Sequence, residues 1–534
     1  TDSNYKISDF LRDLKHHPGL RLHDDNFGYP YNIEETRMNT DPFVRKSMKL
    51  WDSGVYENLR GFTKKAKVSA ALKTLANYKR HEIKKNKMDA TQRECFDRAL
   101  RDTRRTFLPS EKLNRVSTPN VCDLINLDSA AGFSFPGKSK AQVIEEAYDT
   151  ACYLQHMVEA KRTVYFPPCK LAVRGHLSEV DELKSRPVWV YPAEISILEA
   201  KWALPFYEHL EDNVPSVHFG PESMKRLATM MMSGLCDYAD TTEVTLDWSQ
   251  FDSTVPNFMI DCALDIIYDS FDHQYTLHDG DLIYGGEIME EKNFRLFSFL
   301  RKYFKKTKIM LPNGQMIMKM HGIPSGSFFT QAVGSIVNYL AIKTLNYLNG
   351  WGATRLRVLG DDSSFLVPFK QPDLHIVKEQ AKKIFGFILK VEKATMATKQ
   401  EDRKFLGYQV AGYRFVRKSE DWLKMVLYPE RDVEYLEKSA SRVLAYYILG
   451  GVNDEMYSAF TRRFFRHYPQ VINTPLPLSK GLKRVFKFVL RLDIKGFFLP
   501  KLDLIDPLST SYLLGLGDQL YFSLVGKEIG KPFI

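Results

Sequence analysis

Val358-Leu359-Gly360-Asp361-Asp362-Ser363-Ser364-Phe365 is the stretch from which the rest of the chain is read. Apolar residues lead in, a glycine and two carboxylates form the tip, and apolar residues lead out, a strand–turn–strand pattern. Gly360 lets the backbone turn without a steric cost. A solvated Asp-rich turn would carry polar flanks, but this one is wedged between Leu356, Val358 and Phe365, Leu366, Val367. An acidic tip on buried strands needs a cation to tolerate its charge.

The chain has 534 residues, enough for several subdomains around a large core. Its net charge of +10 points to a polyanionic partner, with nucleic acid the commonest. Six scattered cysteines, Cys95, Cys122, Cys152, Cys169, Cys236 and Cys262, form no CxxC pair, which argues for a reducing compartment and against a zinc site. No apolar run reaches the ~18 residues of a membrane span. The polar stretch Thr1 to Lys15 does not read as a signal peptide.

Residues 1–60 show little periodicity and read as an extended arm. Residues 62–105 are basic, with helix expected around Ala70–Ala76. Ser129 to Gly137 is a loop of small residues and aromatics. Lys170, Arg174, Lys184 and Arg186 surround a β-turn-β stretch. A strand is expected from Thr241 to Leu246, a helix from Pro256 to Ile267, and a charged helical insertion over 271–306. Asn313-Gly314 between two apolar runs predicts a hairpin. Ser325-Gly326 is expected to open a helix that ends near Gly350. A further helix is expected over Ile376–Phe385, and a hairpin over 404–416 around Ala411-Gly412. Helices follow beyond Pro429, over Glu434–Leu449 and Asp454–Tyr468.

Two further stretches partner the acidic hairpin. Asp247-Trp248-Ser249-Gln250-Phe251-Asp252 sets one carboxylate at a strand end and a second five residues later. Magnesium is commonly held by one or two carboxylates plus substrate phosphates, and two such ions clamp both oxygens of an in-line phosphoryl displacement. Asp247 and Asp361 are the minimum needed to bridge two ions, with Asp362 as an accessory ligand. Between them, Gly322-Ile323-Pro324-Ser325-Gly326-Ser327-Phe328-Phe329-Thr330 presents backbone N–H groups to a nucleotide or template base.

The order Asp-x4-Asp, Ser-Gly-x3-Thr, Gly-Asp-Asp resembles that of viral RNA-dependent RNA polymerases, over most of residues 129–410. The wording around 247, 325 and 360 resembles picobirnavirus polymerases first and partitivirus polymerases second, both from small segmented double-stranded RNA viruses. The resemblance implies an α+β fold, a closed right hand of fingers, palm and mostly helical thumb. The palm is an antiparallel sheet with helices. Residues 1–60 would link fingers and thumb. The fingers would take 61–240 and an insertion 271–320, the palm 241–270 and 321–428, and the thumb 429–534 with its C-terminal tail.

It also implies roles. Asp247, Asp361 and Asp362 would hold two Mg2+ ions, with Mn2+ able to substitute. Lys170, Arg174, Lys184 and Arg186 would line the triphosphate site. Lys393, with Lys390 a rival, would be the general acid, and Lys404–Tyr408 would grip the primer strand. Many positive-strand relatives place an asparagine that helps read the ribose four residues after the threonine. Here that position is Gly334 and Asn338 follows one turn later, so Asp252, Thr330 and Asn338 are expected to read the ribose. Ser325 and Gly326 would contact nucleotide or RNA.

The implied activity is primer-independent replication and transcription of a double-stranded RNA genome by a monomeric catalytic unit. Its partners would be RNA, nucleoside triphosphates and a viral capsid protein, with no membrane, in the virion interior and host cytoplasm. Two alternatives are a reverse transcriptase, which carries an aromatic where this chain has Leu359, and a non-catalytic RNA-binding, capsid-associated protein. Residues 480–492 are expected to form a basic amphipathic helix along product RNA, and residues 508–534 to regulate initiation.

Overall fold

At the acidic turn, Gly360 adopts φ +60°, the left-handed conformation that a tight reversal requires. The turn joins antiparallel strands Thr354–Leu359 and Asp362–Pro368, with Leu359 opposite Asp362. In this computed structural model the described residues are 5–23, 27–33, 36–218, 240–369, 371–411, 414–478, 496–499 and 502. The expected helix over 480–492 and the initiation tail over 508–534 lie outside them.

Asp362–Pro368 also pairs antiparallel with Thr241–Thr245, which pairs with Thr395–Ala397 to complete a four-stranded sheet. Val244, Val358, Phe365 and Val367 are fully buried on these strands. Helices Asn257–Asp269 and Thr330–Asn349 pack nearby, the second on helix Ala90–Phe107 as well. The mixture of helix and antiparallel sheet is the expected α+β class.

A second sheet of five strands runs Leu20–His23, Met316–Lys319, Lys308–Met310, Cys169–His176, Lys184–Val190. Its Lys308–Met310/Met316–Lys319 pair is the hairpin that Asn313-Gly314 predicts. Beyond residue 418 the described chain is largely helical, with Ser419–Leu427, Leu436–Ile448 and Glu455–His467 closing over Trp422, Leu444, Tyr457 and Phe464.

Four expectations need correction. Residues 271–306 are not all helix: Phe271–His278 and Asp281–Tyr284 form an antiparallel hairpin, and helix Gly286–Lys305 follows. The Asp279-Gly280 tip, with φ +50° and +86°, is a hairpin signal that the surrounding charges hid. The 404–416 segment has three strands, Lys404–Phe405, Tyr408–Ala411 and Arg414–Val416, because Leu406-Gly407 adds a turn with both φ positive. The long helix starts at Thr330, not at Ser325-Gly326.

Residues 1–60 are more ordered than an extended arm. Ile7–Arg12, Pro42–Trp51 and Ser53–Asn58 are helical, and Leu20–His23 joins the five-stranded sheet. Phe10, Leu14 and Leu20 enter the larger apolar core, whereas Val44, Met48, Tyr56 and Leu59 enter the core of the C-terminal helices. One segment is thus built into both cores. Fully buried Asp41 caps helix Pro42–Trp51, accepts from Ser439 Oγ at 2.5 Å and pairs with Arg442.

Candidate active site

Strand pairing brings the acidic motifs together. Phe365 faces Val244 and Leu366 faces Glu243, and continuing that register past Thr245 brings Asp247 level with Asp362. The carboxylates sense one another. Asp362 is pushed up to about 7 by desolvation and by the neighbouring charges of Asp361 and Asp247. Asp361 is raised for the same first reason, with Asp247 adding to it. Asp252 is pushed up to about 7 by burial and by Asp361. Asp361 and Asp362 still present surface to solvent, so they are walled by protein but open on one side, as groups in a cleft are.

Arg186 is the cation that holds down Asp252, Asp361 and Asp362 alike. Its strand pairs with Cys169–His176 so that Arg174 faces Arg186 and His176 faces Lys184. Alternation then puts Lys170, Arg174, Lys184 and Arg186 on one face of the sheet. Arg174 and Lys170 are engaged elsewhere, whereas Lys184 makes only an exposed contact. Arg174 pairs with Glu430 at 2.8 Å and Lys184 lies 3.7 Å from Glu182. The Lys170 ammonium sits 4.3 Å from the Tyr31 ring centre and 5.4 Å from that of Tyr29.

The loop before helix Thr330–Asn349 is stitched to the Arg186 strand. Trp189 N–H donates to the Ser325 carbonyl at 3.0 Å, and Ser325 Oγ donates to the Pro187 carbonyl at 3.0 Å. Gly326, at φ +149°, is obligatory: a Cβ there would fall 1.9 Å from the Trp189 carbonyl oxygen. Thr330 Oγ1 donates to the Pro324 carbonyl at 2.5 Å. Ile323 N–H donates to the Asp252 carbonyl at 2.8 Å, which sets Asp252 beside the loop. Lys390 N–H donates to the Asp247 carbonyl at 3.0 Å, and exposed Lys393 closes the same turn.

Among the described residues no three His, Cys, Asp or Glu side chains form a closed metal cage. Magnesium needs none, because it keeps waters and substrate oxygens alongside one or two carboxylates. Desolvated Asp361 and Asp362 near one guanidinium, with the Asp247 carboxylate close enough to be felt by both, form an oxygen-only donor set that favours a hard divalent ion, so Asp247, Asp361 and Asp362 fit such a group.

The sequence model for viral RNA-dependent RNA polymerase matches residues 39–468. The chain belongs to this family. It is similar to the RNA-directed RNA polymerase of Atkinsonella hypoxylon virus (isolate 2H), 24% identical over 341 residues, 56% of this chain and 50% of that protein. The RNA-directed RNA polymerase of Cryptosporidium parvum virus 1 (strain KSU-1) is 30% identical over 215 residues, 37% of this chain and 34% of that protein. The matches thus span half or less of those relatives. The RNA-dependent RNA polymerase of a human picobirnavirus shares the fold at TM-score 0.58 and 14% identity, over 82% of this chain and 84% of that one. Its insertion-loop deletion mutant gives 0.57 at 14%, over 79% and 81%. The family read from the three motifs is the family found.

Asn338 departs from its expected place in this viral polymerase family. It is fully buried, and its amide is spent inside the protein on Trp248, Gly360 and Asp362. It is not available to a ribose. Gly334, four residues after Thr330, lies against the acidic turn: a Cβ would stand 3.5 Å from Gly360 Cα. Sequence reading also missed Glu199, fully enclosed and pushed up to about 8 by burial, which accepts from Ser327 Oγ at 2.5 Å. A glutamate inside an otherwise ordinary helix gives no local signal of this.

Proposed function

We propose that this chain synthesises RNA on an RNA template by nucleotidyl transfer to a 3′-hydroxyl. The observation that carries the proposal is the meeting of Asp247, Asp361 and Asp362 at the end of one sheet, with Arg186 reaching the charges of Asp361 and Asp362. Asp247 and Asp361 would hold two Mg2+ ions, with Asp362 assisting. Bound there, such ions would supply Lewis-acid stabilisation to the attacking and leaving oxygens.

Arg186, with Lys184 on the same face, orients the triphosphate. Asp252 and Thr330 read the ribose, and the Ser325-Gly326 backbone, fixed on the Arg186 strand, bounds the nucleotide. Lys393 is the candidate proton donor to pyrophosphate. Residues 241–270 and 321–428 form the palm, 61–240 and 271–320 the fingers, and 429–534 the thumb. The N-terminal segment ties fingers to thumb, a reading supported by its residues in both apolar cores.

The family resemblance supports primer-independent replication and transcription of a double-stranded RNA viral genome, with capsid protein as partner, in particle and host cytoplasm. No described helix is long and apolar enough to cross a membrane. The test is incorporation of labelled ribonucleotides by the purified chain on a short RNA template, with Mg2+, Mn2+ or EDTA. Template-dependent, EDTA-sensitive products are expected. Preference for deoxynucleotides would favour a reverse transcriptase. Absence of products with both metals and with a preformed primer would overturn the proposal.

A further inference from the structure

We infer that Asn338 is a positioning residue that sets the spacing between Asp247 and the Asp361-Asp362 turn. The inference rests on reading the cleft as a metal-dependent nucleotidyl-transfer site. A primary amide has two donors and one acceptor oxygen. Asn338 Nδ2 donates to the Gly360 carbonyl at 2.9 Å and to the Asp362 carbonyl at 3.1 Å, and its Oδ1 accepts from Trp248 Nε1 at 2.9 Å. The opposite amide orientation would set oxygen against two carbonyls and N–H against N–H, so the network admits one arrangement only.

The three partners are not arbitrary. Trp248 directly follows Asp247, and Gly360 and Asp362 flank Asp361. One side chain therefore spans the two strand ends that carry the acidic groups. Ser335, one turn earlier on the same helix, accepts from Gly360 N–H at 2.9 Å and donates to the Gln331 carbonyl at 2.7 Å. The turn is gripped at both its N–H and its C=O. Asn338 is 0% exposed and Trp248 3%, so the bond between them is shielded from water, while Gly360 and Asp362 lie at the open edge of the cleft. Groups behind ligating carboxylates typically change metal affinity by about 10–100-fold when removed.

The test compares Asn338→Leu, which keeps bulk but no hydrogen bond, with Trp248→Phe, which removes one N–H, and with Tyr303→Phe. Tyr303 is a buried control whose hydroxyl donates to the Pro167 carbonyl at 2.6 Å. Mn2+ binding to the RNA-free protein is read by the paramagnetic resonance of free Mn2+, alongside melting temperature and the ratio of ribo- to deoxynucleotide incorporation. Asn338→Leu is expected to weaken Mn2+ binding roughly tenfold or more and Trp248→Phe less, with the ratio unchanged. Tyr303→Phe should lower the melting temperature alone. If Asn338→Leu does not fold, Trp248→Phe carries the test, and wild-type Mn2+ binding in it overturns the inference. So does an altered ribose ratio with unchanged Mn2+ binding, or a Mn2+ loss in Tyr303→Phe matching that of the site variants. Wild type that binds no Mn2+ refutes the metal reading itself, which separates the two failures.

Discussion

Gly326→Ala is the sharpest test of how the loop before helix Thr330–Asn349 is held. The new Cβ would stand 1.9 Å from the Trp189 carbonyl oxygen, well inside any real contact. The loop must retreat from the strand by more than an ångström. That stretches the bond from Trp189 N–H to the Ser325 carbonyl and the one from Ser325 Oγ to the Pro187 carbonyl, both 3.0 Å now. Losing two hydrogen bonds costs about 2 kcal/mol. Holding a non-glycine residue at φ +149° costs roughly 1–3 kcal/mol more.

The docked loop is therefore disfavoured by about 3–5 kcal/mol, the sum of those two costs. The cheaper response is a local shift of Ser325-Gly326, because neither belongs to an apolar core, whereas Ile323 and Phe329 on either side stay anchored in one. Gly326→Ala should then lose activity by two orders of magnitude or more, since ~1.4 kcal/mol is tenfold, while global unfolding shifts little. Gly137→Ala is the matched control: φ is +73° and a Cβ meets nothing within 4 Å, so only backbone strain is added. The assays are single-nucleotide incorporation and urea unfolding. Wild-type incorporation by Gly326→Ala would refute the reasoning.

Asp361→Ala should abolish incorporation with the fold intact, and Asp362→Asn should be milder; near-wild-type rates in both would remove the metal assignment. Asp252→Ala should reduce discrimination against deoxynucleotides by about tenfold or more, the worth of a hydrogen bond to a charged group, and an unchanged ratio would take Asp252 out of the ribose site. Glu243→Gln removes the carboxylate paired with buried Arg403, at 2% and 1% side-chain exposure for the pair, and should cost about 3 kcal/mol in urea unfolding. A loss below experimental error would mean the pair is not closed in solution. Glu199 is raised by burial to about 8, with Lys140 opposing the shift, so the folded state binds its proton where the unfolded chain does not. The stability it contributes is full below the unfolded carboxyl range near pH 4 and is lost as pH rises toward 8. Glu199→Gln should flatten melting temperature against pH in that window, and an unchanged slope would place the titration elsewhere.

The three acidic and glycine-rich motifs, the family and the α+β class were all legible in the sequence. Each is a local pattern: Gly360 needs a positive φ, Asp247 ends a β-branched run, and Gly386 ends a helix in the left-handed conformation. What failed locally was turn chemistry crowded by charge, as at Asp279-Gly280 and Leu406-Gly407. Only the tertiary structure separated the four basic residues, because strand register puts them on one face while Glu430 engages Arg174 and the rings of Tyr29 and Tyr31 engage Lys170. It also moved Asn338 from the ribose to the scaffold. Helical spacing places Asn338 beside Thr330 and Gly334, but which polar groups meet a buried amide depends on strands nearly a hundred residues before it and some twenty after it. Hydrogen-bond partners across such separations leave no trace in a local pattern.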